Sequence, residues 1–283
     1  MRILVLGASG MAGHAIAIYF KEKGYDVYSF STSPVSFCES IIGDASSAIE
    51  VSEVIAKYDF DVIINCIGLL NKVAEDNPSK AIYLNSYLPF YISDIVKNTK
   101  TKLIHMSTDC VFAGNTGPYN EASLTDGRTF YDRTKALGEL NNHKDLTFRN
   151  SIIGPDTKTE GIGLFNWFMQ QKGPIKGFSK AIWTGVTTLT LAKAMDKAIE
   201  DNLTGLYNLA NNTSISKYDL LQLFNKEFKN NLVKIEKEDS FVLDKTLVNT
   251  RLDFNFVVPS YETMVLEMKE WINDKKQFYK HYQ

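Results

Sequence analysis

A doubly wound parallel α/β sheet followed by a smaller mixed α/β region is the architecture this sequence predicts, on three observations. Short apolar runs alternate with amphipathic helical stretches over roughly the first 150 residues. The first run ends in a glycine-rich turn that opens a helix. Beyond Arg149 the alternation loosens and turn formers multiply, at Gly154-Pro155, Gly161, Gly163 and Gly173-Pro174.

Arg2 to Leu6 is an apolar run of the kind buried in parallel sheets. It leads into Gly7-Ala8-Ser9-Gly10-Met11-Ala12-Gly13, a G-x-x-G-x-x-G pattern at the start of a helix predicted over Met11 to Lys23. Glycines let the backbone turn tightly and approach a pyrophosphate, which the helix N-terminus stabilises. Its position between a strand and a helix makes this a dinucleotide-binding turn, with Gly7, Ser9, Gly10, Met11 and Gly13 as cofactor contacts. Tyr25 to Phe30 is the second strand. An acidic residue near its end would hold a ribose 2′-hydroxyl, but the chain reads Ser29-Phe30-Ser31-Thr32-Ser33. Ser31 and Thr32 could accept a 2′-phosphate, which favours NADPH and leaves NADH open.

Ile41 to Asp44 reads as a third strand. Asp44 either meets the adenine or caps a helix over Ser46 to Lys57. Asp61 to Asn65 is the fourth strand; the small-residue turn Asn65-Cys66-Ile67-Gly68 would let the backbone pass close to a cofactor, with Cys66 a buried small residue. A helix follows from Ser79 to Lys97, and Pro89 within it predicts a kink or break. Lys102 to Met106 is the fifth strand and runs into Ser107-Thr108-Asp109-Cys110-Val111-Phe112, where ligands bind in open parallel sheets. Thr129 to Asn141 reads as a helix that places Tyr131 and Lys135 on one face. An ammonium beside a phenol favours the phenolate, so Lys135 is expected to lower the tyrosine pKa. Leu146 to Arg149 is the sixth strand.

Later elements are a helix over Thr188 to Asp201, a strand over Gly205 to Leu209, a helix over Ser216 to Phe228, a short strand at Leu232 to Ile235, and a helix over Tyr261 to Ile272 with a polar tail expected to fray. The division that follows assigns residues 1–150, with about 182–203, to a dinucleotide-binding (Rossmann) domain. It gives 151–181 and 204–283 to a substrate-binding region.

Composition is that of a globular protein, 44% hydrophobic and 23% charged over 283 residues, and the net charge of −2 sets up no field for nucleic acid or a membrane surface. Three scattered cysteines, Cys38, Cys66 and Cys110, fit neither a disulfide framework nor a zinc site, and four unclustered histidines suggest no metal. The start lacks a signal-peptide pattern and no apolar run approaches the ~18 residues of a membrane span. A cytoplasmic location is the expectation.

Taken together, Gly7-x-x-Gly10-x-x-Gly13, Ser107-Thr108-Asp109, Pro118-Tyr119-Asn120-Glu121, Tyr131-x-x-x-Lys135 and Gly138-Glu139 resemble the extended short-chain dehydrogenase/reductase family, and within it the dTDP-4-dehydrorhamnose reductases. The likeness spans most of residues 1–150 and thins beyond. It implies a catalytic set of Thr108, Tyr131 and Lys135, with Asn85 supporting the lysine. Tyr131 would protonate the oxygen of a ketone that receives hydride from nicotinamide, Thr108 would hydrogen-bond that oxygen, and Lys135 would also bind the nicotinamide ribose. The implied activity is NAD(P)H-dependent reduction of a 4-keto-6-deoxy sugar on a nucleoside diphosphate, for cell-surface polysaccharide precursors. A homodimer through helices of the sheet is implied too, and the residues themselves leave it open.

Related 4,6-dehydratases carry Thr-Asp-Glu where this chain has Thr108-Asp109-Cys110, so elimination is disfavoured. Cys110 resembles the proton-moving cysteine of epimerase-reductases, or simply packs; His143 sits too early to be its histidine partner. Asp109, Cys110, Arg149 and Trp183 are candidate substrate contacts: Arg149 meets a phosphate or pairs with a carboxylate, and Trp183 stacks on a ligand ring or packs. Two rivals stand beside the reductase. One is a sugar-nucleotide epimerase using Cys110; the other is a non-catalytic, cofactor-binding regulatory subunit of the same fold, against which the complete Thr108, Tyr131, Lys135 set argues.

Overall fold

A computed structural model describes residues 1–282. Twelve strands occur among them: β1 (Arg2–Leu6), β2 (Asp26–Ser31), β3 (Glu39–Ile42), β4 (Val62–Asn65), β5 (Lys102–Met106), β6 (Leu146–Arg149), β7 (Ile152–Ile153), β8 (Ile175–Trp183), β9 (Val186–Thr187), β10 (Gly205–Asn208), β11 (Ile215–Ser216) and β12 (Ile235–Asp244). Seven form one parallel sheet in the order β10-β6-β5-β4-β1-β2-β3. Alternate residues of a strand face opposite sides, and here both sides are buried. Ile3 and Val5 join one core with the helices Met11–Glu22 and Thr188–Glu200, whereas Leu4 and Leu6 join a second core with the helix Leu88–Val96. The sheet is therefore doubly wound, as predicted. A small sheet, β11-β8-β12, and the pair β7-β9 lie outside it.

Strands β1, β5 and β6 keep their predicted bounds. The segment grouped by sequence with the smaller region at Gly205 is instead an edge strand of the large sheet, paired along Leu146–Arg149. The predicted helix from Ser79 to Lys97 is three pieces: Pro78–Ala81, a wide π-helical turn Ile82–Tyr87, and Leu88–Val96. Pro89 has no N–H for the carbonyl of Asn85, a loss that costs ~3 kcal/mol inside an α-helix. Widening the turn just before it moves the register, and the freed Asn85 carbonyl abuts Gly138, where an added Cβ would lie 1.9 Å away. The helix Phe130–Leu137 ends at that glycine, short of the predicted Asn141. At its other end, Thr129 and Asp132 form a reciprocal capping box.

Through Tyr282 the tail does not fray. Tyr279 is fully buried, donates its hydroxyl to His14 Nε2 at 2.8 Å and accepts from Trp271 Nε1 at 2.9 Å. Lys280–Tyr282 forms a last short helical turn, and the Tyr282 hydroxyl accepts from Asp156 N at 2.8 Å and donates to Asn166.

Candidate active site

The carboxyl ends of β1, β4, β5 and β6 open onto a cleft of about 410 Å³. Its first wall is the glycine turn. Gly7 takes φ +79°, Gly10 N donates to Gly7 O at 3.0 Å, and an added Cβ at Gly13 would lie 2.3 Å from Gly7 O. Only glycine fits there, and the helix packs directly on the turn. Gly10 caps the helix Met11–Glu22 without a side chain, so the first N–H groups have no capping partner on the cleft side. Gly10, Met11 and Gly13 line the cleft; Gly7 and Ser9 shape the turn without lining it. Ile162 and Gly163 also line the cleft beside Met11, and an added Cβ at Gly163 would sit 3.3 Å from Met11 Sδ.

Thr108, Asp109, Cys110, Tyr131, Lys135, Cys66 and Gly68 all face this cleft. Thr108, two residues past β5, caps the single turn Asp109–Val111, accepting from Cys110 N at 3.2 Å and donating to Asp109 Oδ1 at 3.3 Å. Burial pushes the Asp109 carboxyl up, and it pushes the Cys110 thiol up to about 12 with help from the Asp109 charge. A thiol held there is protonated at neutral pH. Cys66 is likewise pushed up to about 12 by burial.

Burial also raises the Tyr131 phenol well above its ordinary value, with the Cys110 side chain adding and the Thr108 hydrogen bond opposing. The expected lowering by Lys135 is not seen. Lys135 Nζ is engaged elsewhere, donating to Met106 O at 2.5 Å and lying 3.5 Å from His105 Nε2. Desolvation pulls it down to about 8, against the raising effect of Glu139. The desolvation of the phenol outweighs any help from the ammonium.

Several predicted contacts stand away from the cleft. Arg149, 2% exposed, makes a two-point pair with Glu139 (Nη2 to Oε2 2.6 Å, Nε to Oε1 2.9 Å) and lies over Phe112, so the carboxylate reading prevails over the phosphate one. Trp183 is buried beside Tyr261, with Lys217 Nζ 4.6 Å from its ring centre, and is a packing residue. Asn65 is buried between Ile67 N and His105. Asn85 holds the Leu69 backbone through both its oxygen (2.8 Å) and its nitrogen (3.0 Å) and reaches Thr134 at 3.1 Å. It ties the β4 turn to the lysine's helix through Thr134 and does not line the cleft. Ser31 donates to Ser33 O within its own turn, and Asp44 accepts from Ser46 N while Ser47, not Asp44, caps the next helix. Ser31, Thr32 and Asp44 lie beyond the cleft lining.

Sequence reasoning missed Asn150, Ser151 and Ile152 on the cleft wall after β6, and Asn71 opposite. Asn150 is 3% exposed and its side-chain nitrogen has no partner. It missed His105, and Lys217, which burial pulls down to about 8 near Asp109 and Cys110. Nothing in the local pattern marks these residues; the topology brings them together.

The structure fits a bound dinucleotide on three observations: a glycine cradle that a Cβ would fill, free N–H groups at a helix start, and the orphaned Asn150 donor in the same cleft. Among the described residues no group of three or more His, Cys, Asp or Glu is placed to hold a metal, and no helix is long and apolar enough to cross a membrane.

Comparison with known proteins adds a lineage. A family model described as RmlD substrate binding domain matches residues 1–242. The spore coat polysaccharide biosynthesis protein SpsK of Bacillus subtilis is 26% identical over 77% of this chain and 76% of its own. Methionine adenosyltransferase 2 subunit beta of Xenopus laevis is 25% identical over 77% of this chain and 70% of its own. Curated dTDP-4-dehydrorhamnose reductases match over only about half their length; that of Salmonella typhimurium is 32% identical over 54% of this chain and 52% of its own. Among solved structures, a dTDP-4-dehydrorhamnose reductase of Bacillus anthracis in complex with NADP superposes with a TM-score of 0.79 over 94% of this chain and 98% of that one, at 20% identity.

Proposed function

The chain belongs to the RmlD substrate binding domain family, and from that premise we propose that it uses NADPH to reduce the 4-keto group of a nucleoside-diphosphate-linked 4-keto-6-deoxy sugar, a step toward cell-surface polysaccharide. The observation that carries the reading is that Thr108, Tyr131 and Lys135 line one cleft with the Gly10–Gly13 turn. The Bacillus anthracis relative supports the choice of cofactor, and NADH stays a second possibility for the assay.

Gly10, Met11 and Gly13 would hold the cofactor's phosphates against the helix start, and Cys66 and Gly68 would pass beside its ring. The bound nicotinamide would supply hydride to the ketone carbon. Tyr131, whose raised pKa keeps it protonated, donates its proton to the ketone oxygen as charge develops there. Thr108 swings its hydroxyl from Asp109 to the same oxygen. Lys135 orients the ribose, and Asn150 offers a donor to the ligand.

The epimerase reading is not favoured, because a Cys110 thiol held near 12 is a poor base at neutral pH. The regulatory-subunit reading is answered by the complete catalytic set. A homodimer is part of the proposal; Ile82, Tyr87 and Phe90 are exposed along Ile82–Val96, and sedimentation of an Ile82→Glu, Phe90→Glu variant tests it.

The decisive assay offers dTDP-, UDP- and GDP-linked 4-keto sugars and follows NADPH oxidation. Tyr131→Phe is expected to bind NADPH as the parent does and to lose turnover. Full turnover in that variant, or no oxidation with any of the sugars, sinks the proposal.

A further inference from the structure

The histidine behind the lysine is unused by the chemistry proposed above, and its surroundings leave it one arrangement. Asn65, at the end of β4, is the register partner of His105 on β5, and both are wholly buried. Asn65 Oδ1 accepts from Ile67 N at 3.1 Å. A backbone N–H can only donate, so the amide cannot be turned round, and Nδ2 is the atom that faces His105 Nδ1 at 3.2 Å. An amide nitrogen also only donates. His105 Nδ1 is therefore the acceptor, and the proton of the neutral ring sits on Nε2. That N–H points at Lys135 Nζ, 3.5 Å away. An ammonium would set donor against donor there. A neutral amine offers its lone pair to Nε2–H and still donates to Met106 O at 2.5 Å.

We propose that Asn65 and His105 form a positioning pair that presents a ring N–H to Lys135, fixing where the lysine points and shifting it from ammonium toward amine. This rests on the reading of Lys135 as an active-site lysine. His105 does not line the cleft and acts only through Lys135.

The other titratable groups near Nζ leave the assignment standing. Cys66, from the end of β4, is protonated and uncharged. Tyr131, one turn back on the same helix, is protonated as well. Glu139, beyond the helix, favours the ammonium, but its two oxygens are already taken by Arg149 and Ser107. Burial, and then the Lys135 charge, hold His105 well below the ordinary histidine range, so the ring is the neutral partner the geometry requires.

The test uses the full ligand-free chain and no substrate. Imidazole ¹⁵N spectra, with the His105 signals identified by their loss in His105→Gln, should show a protonated Nε2 and a bare Nδ1 at neutral pH. The pH dependence of Lys135 acylation by acetic anhydride, read by peptide mass spectrometry, gives the lysine's own midpoint. Glutamine can turn an amide oxygen toward Nζ, so His105→Gln should raise that midpoint by about one pH unit, a change of about tenfold in free amine at a fixed pH. Asn65→Asp accepts from both Ile67 N–H and Nδ1–H and should reverse the ring tautomer. A wild-type ring protonated on Nδ1, or an unmoved midpoint in His105→Gln, overturns the proposal. If a variant does not fold, the wild-type spectrum decides alone. A chain that reduces none of the nucleotide sugars refutes the reductase reading and leaves both measurements intact.

Discussion

His14 Nε2 accepts the hydroxyl proton of Tyr279 at 2.8 Å, joining residues 265 positions apart. The other ring nitrogen of His14 donates to Gly10 O at 3.0 Å, so a single imidazole links the tail of the chain to its phosphate-binding turn. Tyr279→Phe removes the donor for His14 and the acceptor for Trp271 while keeping the ring. Leaving two buried groups unpaired is expected to cost about 1–3 kcal/mol each at most. Urea unfolding should show the loss, and NADPH affinity should fall with it because the His14 ring that bonds Gly10 O is held from one side only. Unchanged stability would contradict the anchoring.

Burial depresses the pKa of His14, His105 and His281. The unfolded chain therefore takes up protons first as pH falls, and stability present above about pH 6.5 is lost progressively below it. Asp109 contributes with the opposite sign, since its raised pKa lets the folded state protonate first. Urea midpoints measured from about pH 7.5 down to about pH 5 should decline. A flat profile across that window would mean that the histidines are not held neutral.

Asn150 separates stability from binding. Its orphaned nitrogen gains nothing in the ligand-free protein, so Asn150→Ala should leave the melting temperature unchanged or raise it. Ligand affinity should fall by about tenfold, the worth of one hydrogen bond. A large loss of stability with unchanged ligand affinity would show that the donor has a partner within the protein.

Arg149 makes the reverse case. Arg149→Met leaves Glu139 buried without its cation, at a cost of about 3–5 kcal/mol. The effect should appear in thermal unfolding, and the second substitution Glu139→Gln should recover part of it. A rise in KM for the sugar nucleotide with unchanged stability would instead restore the phosphate-binding role that the structure takes away.

The large sheet was legible because parallel strands buried on both faces read as continuous apolar runs, as Ile3-Leu4-Val5-Leu6 does. The small sheet was not. In β8 the inward positions include Gly177 and Ala181 while Phe178 points out, so apolarity and burial are out of step. Gly177 is there because Tyr218 packs over it, with an added Cβ 2.9 Å from the ring, and nothing near Gly177 in sequence announces that. β12 is mostly exposed and held by backbone pairing to β8. At the site, spacing placed Tyr131 and Lys135 on one helical face and the family resemblance added Thr108, whereas Asn150 and His105 owe their meaning to strands that meet only in three dimensions. Arg149 and Trp183 carried the right chemistry for a ligand, and only their burial assigned them to packing.

The link from Tyr279 to His14 also sets a schedule. At ribosomal speeds of roughly 5–20 residues per second, 265 residues separate the emergence of the turn from that of its anchor by on the order of tens of seconds. For all that time a nascent chain carries its phosphate-binding glycines without the brace that orders them. A stop codon falling between Asp274 and Tyr279 would spare every strand and every residue lining the cleft. Its product would keep the whole motif, yet His14 and Trp271 would have lost their shared partner.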